Sequence, residues 1–387
     1  MTLKKRLAKI AVGSLIVGLA VAILFWFAGR AVENRLADLT KQAVALGMGL
    51  SFPARESNEE AERFRTQLDA FDRVSSSWHD RGISISSEDP SELKVLLAEA
   101  GHLMPAAYGL SNCEAYGKEE DRWQGAFWVG MQAMKATMLL TIDGNCAIAN
   151  HDLEGLLKAA SAIRRIIHLA PLDEQIACGT VSTLTRDYCS LLQRGAESFD
   201  EPPQIERIVA EVKNWRITSF DMAAAHLAAS EFRSIDWDAE AVPQGLSPTE
   251  TVRHMLQTTK PAITKRKMFA LNDAIQIYQR WSDDAYVLDQ FRSALSVSLV
   301  PHFAGFLKFR ELELRAYLAS LWATLHVRRA IVDGRPPPTI TQIAALGVQV
   351  EDPVNGVAYE LRDFEGNLRL FGTMQAEEGP PRRDFFL

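Results

Sequence analysis

The sequence lacks the short motifs that would assign it a chemistry. It has no C-x-x-C, H-E-x-x-H, G-x-S-x-G, Walker or G-x-G-x-x-G pattern. These patterns would have indicated a zinc or redox site, a metalloprotease, a serine hydrolase or a nucleotide-binding fold. We therefore predict no catalytic, cofactor-binding or metal-ligating residues, and no cofactor.

The chain also lacks an excess of basic residues. It carries 42 lysines and arginines against 49 aspartates and glutamates. Binding to nucleic acid depends on neutralising phosphates with cationic side chains. The charge balance therefore predicts no nucleic-acid partner.

Long hydrophobic runs are scarce, and a single one reaches the length of a transmembrane helix. Residues 10–29 contain no charged residue, and about 20 apolar residues cross a bilayer. Four cations precede the run and Arg30 follows it, which places the N-terminus in the cytoplasm by the positive-inside rule. We expect a single-pass protein of the bacterial inner membrane, embedded in the lipid bilayer, with its main domain in the periplasm. The preceding cations are Lys4, Lys5, Arg6 and Lys9.

The alternative for this run is a cleaved signal peptide. The apolar core of such a peptide spans about 7 to 15 residues and ends at a small-residue cleavage site. Here the run is longer, and the weak candidate site at residues 29–31 directly follows three aromatic residues and an alanine. These features favour a signal anchor that is retained.

The exported remainder has the composition of a folded acidic domain. It holds 38 of the 42 basic residues and all 49 acidic residues, a net charge of −11, and the whole chain is 47% hydrophobic. Such a chain has enough apolar material for a packed core. We predict a mainly α protein, a bundle or array of helical hairpins with a small β module. The predicted parts are a cytoplasmic tail at 1–9, a transmembrane helix at 10–29, a juxtamembrane helix at 30–52, a helical domain at 53–332, and a β-hairpin module with a C-terminal tail at 333–387.

Apolar residues at helical spacing locate the central helices of this domain. Three of them are predicted at 121–143, 152–169 and 171–194. Gly144 is expected to end the first of these helices. Pro261 and Pro301 should kink or split two later ones.

An apolar stripe follows the membrane run at alternating spacings of four and three residues, as in a coiled coil. Within the run, the small residues Ser14, Gly18 and Ala22 recur every four positions and form a candidate dimer face. A homodimer is one interpretation, and packing of the stripe on the protein's own domain is the other. The stripe consists of Val32, Leu36, Leu39, Ala43, Leu46 and Leu50.

Four cysteines in an exported chain indicate two disulfides, because the periplasm is oxidising. Cys178 and Cys189 lie on one predicted helix about 16 Å apart, beyond the bridging limit of about 7 Å. Antiparallel hairpins then favour Cys113 paired with Cys178, and Cys146 paired with Cys189. Four buried thiols are the alternative.

The ionisable residues offer no clear reactive pair. None of the eight histidines has metal-ligand spacing. Paired carboxylates such as Asp283-Asp284 lie at predicted helix starts, where the macrodipole favours negative charge. Glu231 follows a face of small residues and is a candidate buried acid, which we predict to be paired with an arginine such as Arg315 or Arg328.

The end of the chain changes character. Alternating apolar residues at 357–362 and 368–371 flank a turn at 365–367, which predicts a β-hairpin. The final hydrophobic residues are a candidate partner-binding C-terminus, captured by a PDZ-type domain through strand addition. The alternative is docking in a groove of the protein's own domain. These residues are Phe385, Phe386 and Leu387.

Two stretches resemble known families. Residues 131–195, with D-L-E at 152–154, resemble helical hairpins of uncharacterised, N-terminally anchored bacterial envelope proteins. Residues 310–372, with D-G-R-P at 333–336, resemble both the end of those proteins and the C-terminal region of major pseudopilins of type II secretion. The N-terminus departs from the pilin pattern, since no cleavage glycine followed by phenylalanine precedes the apolar run.

These features together favour a membrane-anchored envelope protein with a non-enzymatic binding or scaffolding role and an envelope protein as its partner. The pseudopilin resemblance implies a link to secretion or pilus machinery. The alternative is a membrane-anchored hydrolase acting on cell-envelope substrates. A hydrolase would need a cleft lined by histidine and carboxylates with shifted pKa values.

Overall fold

The protein is mainly helical, as the sequence predicts. A computed structural model describes residues 3–51, 58–81, 83, 89–114, 123–170, 172, 175–217, 219–240, 247–290, 298–351, 357–364, 367–374 and 383–386. The helices are α1 (Leu3–Ala45), α2 (Glu59–Leu68), α3 (Phe71–Asp80), α4 (Pro90–Ala100), α5 (Met104–Ser111), α6 (Trp123–Ala149), α7 (Leu153–Leu169), α8 (Gln175–Ser198), α9 (Pro202–Val212), α10 (Asp221–Ala225), α11 (Leu227–Glu240), α12 (Pro248–Gln257), α13 (Lys260–Gln279), α14 (Asp284–Gln290), α15 (Val300–Val332) and α16 (Ile340–Ala345). The strands are β1 (Glu360–Phe364), β2 (Asn367–Met374) and β3 (Arg383–Phe386).

Local chemistry explains where several helices begin. The Asp152 side chain accepts a hydrogen bond from the Gly155 backbone N–H at 3.0 Å and caps α7. The predicted splits also occur, since Pro261 lies in the first turn of α13 and Pro301 in that of α15. Proline is tolerated there because the first backbone N–H groups of a helix have no partner within it.

The predicted break at Gly144 is wrong, because α6 continues through this residue to Ala149. A Cβ atom at Gly144 would lie 2.8 Å from Leu191 Cδ2 of α8. The missing side chain therefore allows the close approach of α6 and α8, and it does not end the helix.

Two compact units divide the chain. Unit 2 comprises residues 53–223, 283–288 and 305–387. In it, α6 packs against α4, α5, α7 and α8, and the three strands form an antiparallel sheet in the order β1-β2-β3. The predicted hairpin is therefore present, with a third strand added. A small core joins this module to α15 and α16, consisting of Ala323, Val327, Ile343, Tyr359 and Leu370.

Unit 1 comprises residues 1–52, 224–282 and 289–304, so the predicted helical domain at 53–332 is divided between the units. Within unit 1, α13 packs against α1 and α11. Leu39 and Ala43 of the apolar stripe are buried in this unit, which matches packing of the stripe on the protein's own domain. The side chains of the candidate dimer face, Ser14, Gly18 and Ala22, lie outside the described residues.

The predicted transmembrane segment falls within α1. Most side chains of residues 10–29 lie outside the description. Among the side chains that are described, no helix combines the length and apolarity needed to cross a membrane.

Candidate functional site

A cavity of about 700 Å³ opens between α5, α6 and α7 in unit 2, a volume in the range of small-molecule pockets. Lys158, Ser161 and Arg165 project into it from α7, because spacings of three and four residues place them on one helical face. α5 and the C-terminal part of α6 supply the facing groups. The polar residues of the lining are Tyr108, Ser111, Asn112, Asp143, Lys158, Ser161 and Arg165.

Tyr108 and Asp143 contact each other in the lining of this cavity. The Tyr108 hydroxyl donates a hydrogen bond of 2.5 Å to Asp143 Oδ2. Burial, and then this bond to the carboxylate, raises the pKa of Tyr108 well above its usual value. Tyr108 therefore keeps its proton at physiological pH and fixes the orientation of Asp143.

The two α7 cations that line the cavity contact neutral groups of the opposite wall. Lys158 Nζ lies 4.4 Å from the centre of the Tyr108 ring, a cation–π geometry. Arg165 donates to Asn112 Oδ1 at 2.9 Å. The adjacent Arg164 is different, because it is paired with Glu211 at 2.7 Å. Within the described residues, neither Lys158 nor Arg165 forms an ion pair with a carboxylate, and both are exposed where the cavity opens to solvent.

A second cavity of about 620 Å³ lies in the same unit, beside α15 and residues 346–349. Its wall is mostly apolar, and the His326 ring stacks on Trp322 with centroids 6.0 Å apart. Burial, followed by the nearby Arg329, lowers the pKa of His326. The polar residues of this wall are Ser219, Arg315, His326 and Gln349, with no lining carboxylate among the described residues.

Charged residues also lie in the core of unit 2. Lys308 and Glu311 are 1% and 0% exposed, and their charged atoms are 3.0 Å apart. Asp284 approaches Lys308 at 2.6 Å, and Arg315 binds the same Glu311 oxygen as Lys308 does. Asp284 thus has an ion-pairing role in addition to its position at the start of α14. This buried ion cluster consists of Asp284, Lys308, Glu311 and Arg315.

The two predicted disulfides are not formed, because all four cysteines are thiols in the structure. The extension of α6 explains the error for Cys146, which was expected in a loop near Cys189. It lies on α6 two residues after Gly144, so it points away from α8, and its sulfur is 4.0 Å from the Leu93 carbonyl oxygen of α4.

The other predicted pair, Cys113 with Cys178, is not formed either, and the two sulfurs contact different carbonyl oxygens. Cys113 Sγ lies 3.5 Å from the Gly109 carbonyl oxygen at the end of α5. Cys178 Sγ lies 3.7 Å from the carbonyl oxygen of Leu172, just before α8. Burial raises the pKa of the Cys113, Cys146 and Cys189 thiols, so they are poor nucleophiles.

Glu231 is buried, as predicted, but its predicted arginine partners are wrong. Arg315 pairs with Glu311 and Asp284, and Arg328 pairs with Asp200. Glu231 is 2% exposed, and its Oε2 has no hydrogen-bond partner among the described residues. Burial raises the pKa of Glu231, and this effect is larger than the opposite effect of the hydrogen bond from the Leu299 backbone N–H.

Replacing Glu231 by glutamine should stabilise the protein at neutral pH. The pKa of Glu231 is higher in the folded state than in the unfolded state. The protonated side chain therefore contributes fully to the free energy of unfolding below the unfolded pKa of about 4.3. This contribution is lost as pH rises through the folded pKa. At pH 7.5 the Glu231→Gln variant should gain about 1–3 kcal/mol in free energy of unfolding. Thermal unfolding of the full chain in detergent at pH 7.5 and pH 4 would measure this.

The exposed Glu33 of unit 1 provides the control for this experiment. Glu33→Gln should leave the melting temperature unchanged at both pH values. A Glu231→Gln variant that is less stable than wild type at pH 7.5 would show that the carboxylate is compensated in the folded state.

An S-x-x-K pattern at Ser91 and Lys94 was not recognised from the sequence. Both are exposed on the first turns of α4. The backbone N–H and Oγ of Ser91 donate to Asp89 Oδ1 at 2.8 and 2.7 Å. Ser91 therefore completes the helix cap and is not placed as an activated nucleophile.

His168 makes structural contacts with neighbouring residues. His168 accepts a hydrogen bond from the Arg216 backbone N–H at 3.4 Å, and its ring lies 5.4 Å from Trp215. Burial, followed by the charges of Arg164 and Arg216, lowers the pKa of His168 to about 4. In the part of the chain that the structure describes, no group of three or more His, Cys, Asp or Glu side chains is arranged to hold a metal ion.

The hydrophobic C-terminus joins the sheet of its own unit. In β3, Phe385 pairs with Gly372 and Phe386 with Phe371 of β2, while Leu387 lies outside the described residues. This arrangement favours docking on the protein's own domain over capture by a PDZ-type domain, because the backbone of β3 is already paired.

Comparisons with protein-family models, curated proteins and solved structures give no match. The resemblances to anchored envelope proteins and to pseudopilins therefore stay predictions, and the sites must be interpreted from their own chemistry.

Proposed function

We propose that this chain is a membrane-anchored envelope protein that binds or scaffolds a partner. Residues 10–29 would hold it in the inner membrane with the N-terminus in the cytoplasm, and the helical units would lie in the periplasm. The charge-free run and its four preceding cations support this placement. The resemblance of residues 310–372 to pseudopilins extends the proposal to a role near secretion or pilus machinery.

The cavity between α5, α6 and α7 is the observation that carries the binding role. Its polar groups orient one another before any ligand arrives, as Tyr108 with Asp143 and Arg165 with Asn112 demonstrate. Preorganised groups of this kind lower the entropic cost of binding. The cavity places no activated nucleophile beside a base, and neither described cavity combines histidine with a carboxylate, so no observation favours the hydrolase alternative.

Membrane attachment can be tested by fractionating bacteria that express the full chain or a variant lacking residues 2–29. The full chain should stay in the membrane pellet after alkaline extraction and be digested by protease added to spheroplasts. Truncation should release it from the pellet. Extraction of the full chain by alkali, or protection from protease, would contradict the anchored and exported arrangement.

Binding at the cavity can be tested in the same cells with a photo-crosslinking amino acid. Placed at Ser161, inside the cavity, it should yield a specific adduct on illumination. Placed at the exposed Lys94 on α4, it should not. Equal labelling from both positions, or none from Ser161, would contradict a binding role for this cavity.

A further inference from the structure

Lys158 and Arg165 line the same cavity and can both contact a negatively charged ligand there. Lys158 and Arg165 lie two turns apart on α7, a rise of about 10 Å. Their partners Tyr108 and Asn112 lie one turn apart on the opposite wall, so the two long side chains lean towards a common region. Each is held in place by a neutral group, an aromatic face or an amide oxygen. Neither contact cancels the charge, in contrast to the Glu211 carboxylate that neutralises Arg164.

Hydrogen-bonding capacity at the cavity is dominated by donors. Lys158 offers up to three N–H groups and Arg165 retains several, because a single bond to Asn112 uses one of five. The side-chain oxygen of Asn112 accepts the hydrogen bond from Arg165, so the NH₂ group of Asn112 remains as a donor. The carboxylate Asp143 is engaged by Tyr108 through Oδ2. A ligand that supplies acceptors and negative charge therefore complements the donors of Lys158, Arg165 and Asn112.

We propose that this cavity binds an oxyanion, the phosphate or carboxylate group of a small ligand, between Lys158 and Arg165. The inference rests on the proposed function, since it takes the cavity as the binding site, and it adds the chemical class of what enters. Lys158 and Arg165 contribute two positive charges against one from Asp143, so a bound anion meets a net attraction in a chain whose overall charge is negative. The apolar side chains of Met104, Pro105 and Ala162 complete the wall and accommodate the non-ionic part of the ligand.

Phosphate protection of Lys158 from acylation tests the proposal on the full chain in phosphatidylcholine nanodiscs. Inorganic phosphate is the probe, with sodium chloride at equal ionic strength as the reference. At a concentration twice the dissociation constant, phosphate should slow acylation of Lys158 about threefold, as measured by mass spectrometry of the modified peptide. Acylation of the exposed Lys94 should not change.

Charge variants show whether the effect belongs to the cavity. Arg165→Gln should abolish the protection of Lys158, while Lys94→Gln, which removes the same charge outside the cavity, should leave it intact. Protection that persists in Arg165→Gln, or that appears equally at Lys94, would overturn the proposal.

Nanodiscs containing phosphatidylglycerol distinguish a lipid headgroup from a free anion. Protection of Lys158 in these discs without added phosphate would identify the headgroup as the source, and protection that requires added phosphate would identify a free anion. Equal acylation in every condition would overturn the oxyanion site. An adduct from the crosslinker at Ser161 in that case would leave the proposed binding function standing with a different ligand class.

Discussion

Replacing Glu311 by alanine should lower the free energy of unfolding by about 3–5 kcal/mol, the usual cost of breaking a buried ion pair from one side. Glu311 is fully buried and compensates both Lys308 and Arg315 through Oε1. Its Oε2 accepts the Phe220 backbone N–H at 2.8 Å and the Ser219 hydroxyl at 3.2 Å. Truncation would therefore remove the carboxylate from two cations and the acceptor from a buried backbone donor.

Chemical denaturation of the full-length protein in detergent would measure this loss. Glu154→Ala is the matched control, because it removes a carboxylate from an exposed pair with Arg207, and it should have a much smaller effect. Glu311→Gln should fall between the two, since an amide oxygen can still accept from Phe220 but carries no charge for Lys308. If Glu311→Ala were no more destabilising than Glu154→Ala, the cluster would not be a determinant of stability.

Features that depend on neighbouring residues could be predicted from the sequence. The start of α7 follows from Asp152 as its N-cap, and the splits at Pro261 and Pro301 follow from the missing N–H of proline. The hairpin of β1 and β2 follows from alternating apolar residues around a glycine-containing turn. The third strand was not predicted, because Gly379-Pro380-Pro381 before it indicates a turn but does not specify β2 as the partner of the last residues.

Features that depend on which helices meet could not be predicted. Gly144 has the same sequence signature whether it ends a helix or admits Leu191 from α8, and the wrong choice misplaced Cys146 and its disulfide. The buried ion cluster has a visible signal, since Lys308, Glu311 and Arg315 share one face of α15. Its remaining partners lie far away in sequence, as do the two walls of the candidate site. Spacing on α7 places Lys158 and Arg165 on one face, but only packing against α5 makes that face a cavity.

Replacing Gly144 by valine should destabilise unit 2 by about 3 kcal/mol, near the upper end for overpacking a well-packed core. An added Cβ would lie 2.8 and 2.9 Å from the two methyl carbons of Leu191, and Leu191 has no exposed surface into which to move. The gain in helix propensity over glycine is well below about 1 kcal/mol for valine. Steric cost therefore exceeds the propensity gain, and the melting temperature of the full chain should fall.

The same contact predicts a rescue that distinguishes close packing from a general intolerance of α6. Leu191→Ala alone should cost about 2–5 kcal/mol through the cavity it creates, but in the double variant the new valine partly fills that cavity. The two changes should therefore couple by about 0.5–3 kcal/mol in the favourable direction. Gly101→Val is the control, because its added Cβ would meet no atom within 4 Å, and it should be nearly neutral. Strict additivity of Gly144→Val and Leu191→Ala would contradict direct contact between α6 and α8 at this point, since the penalty at Gly144 would then arise elsewhere on the helix.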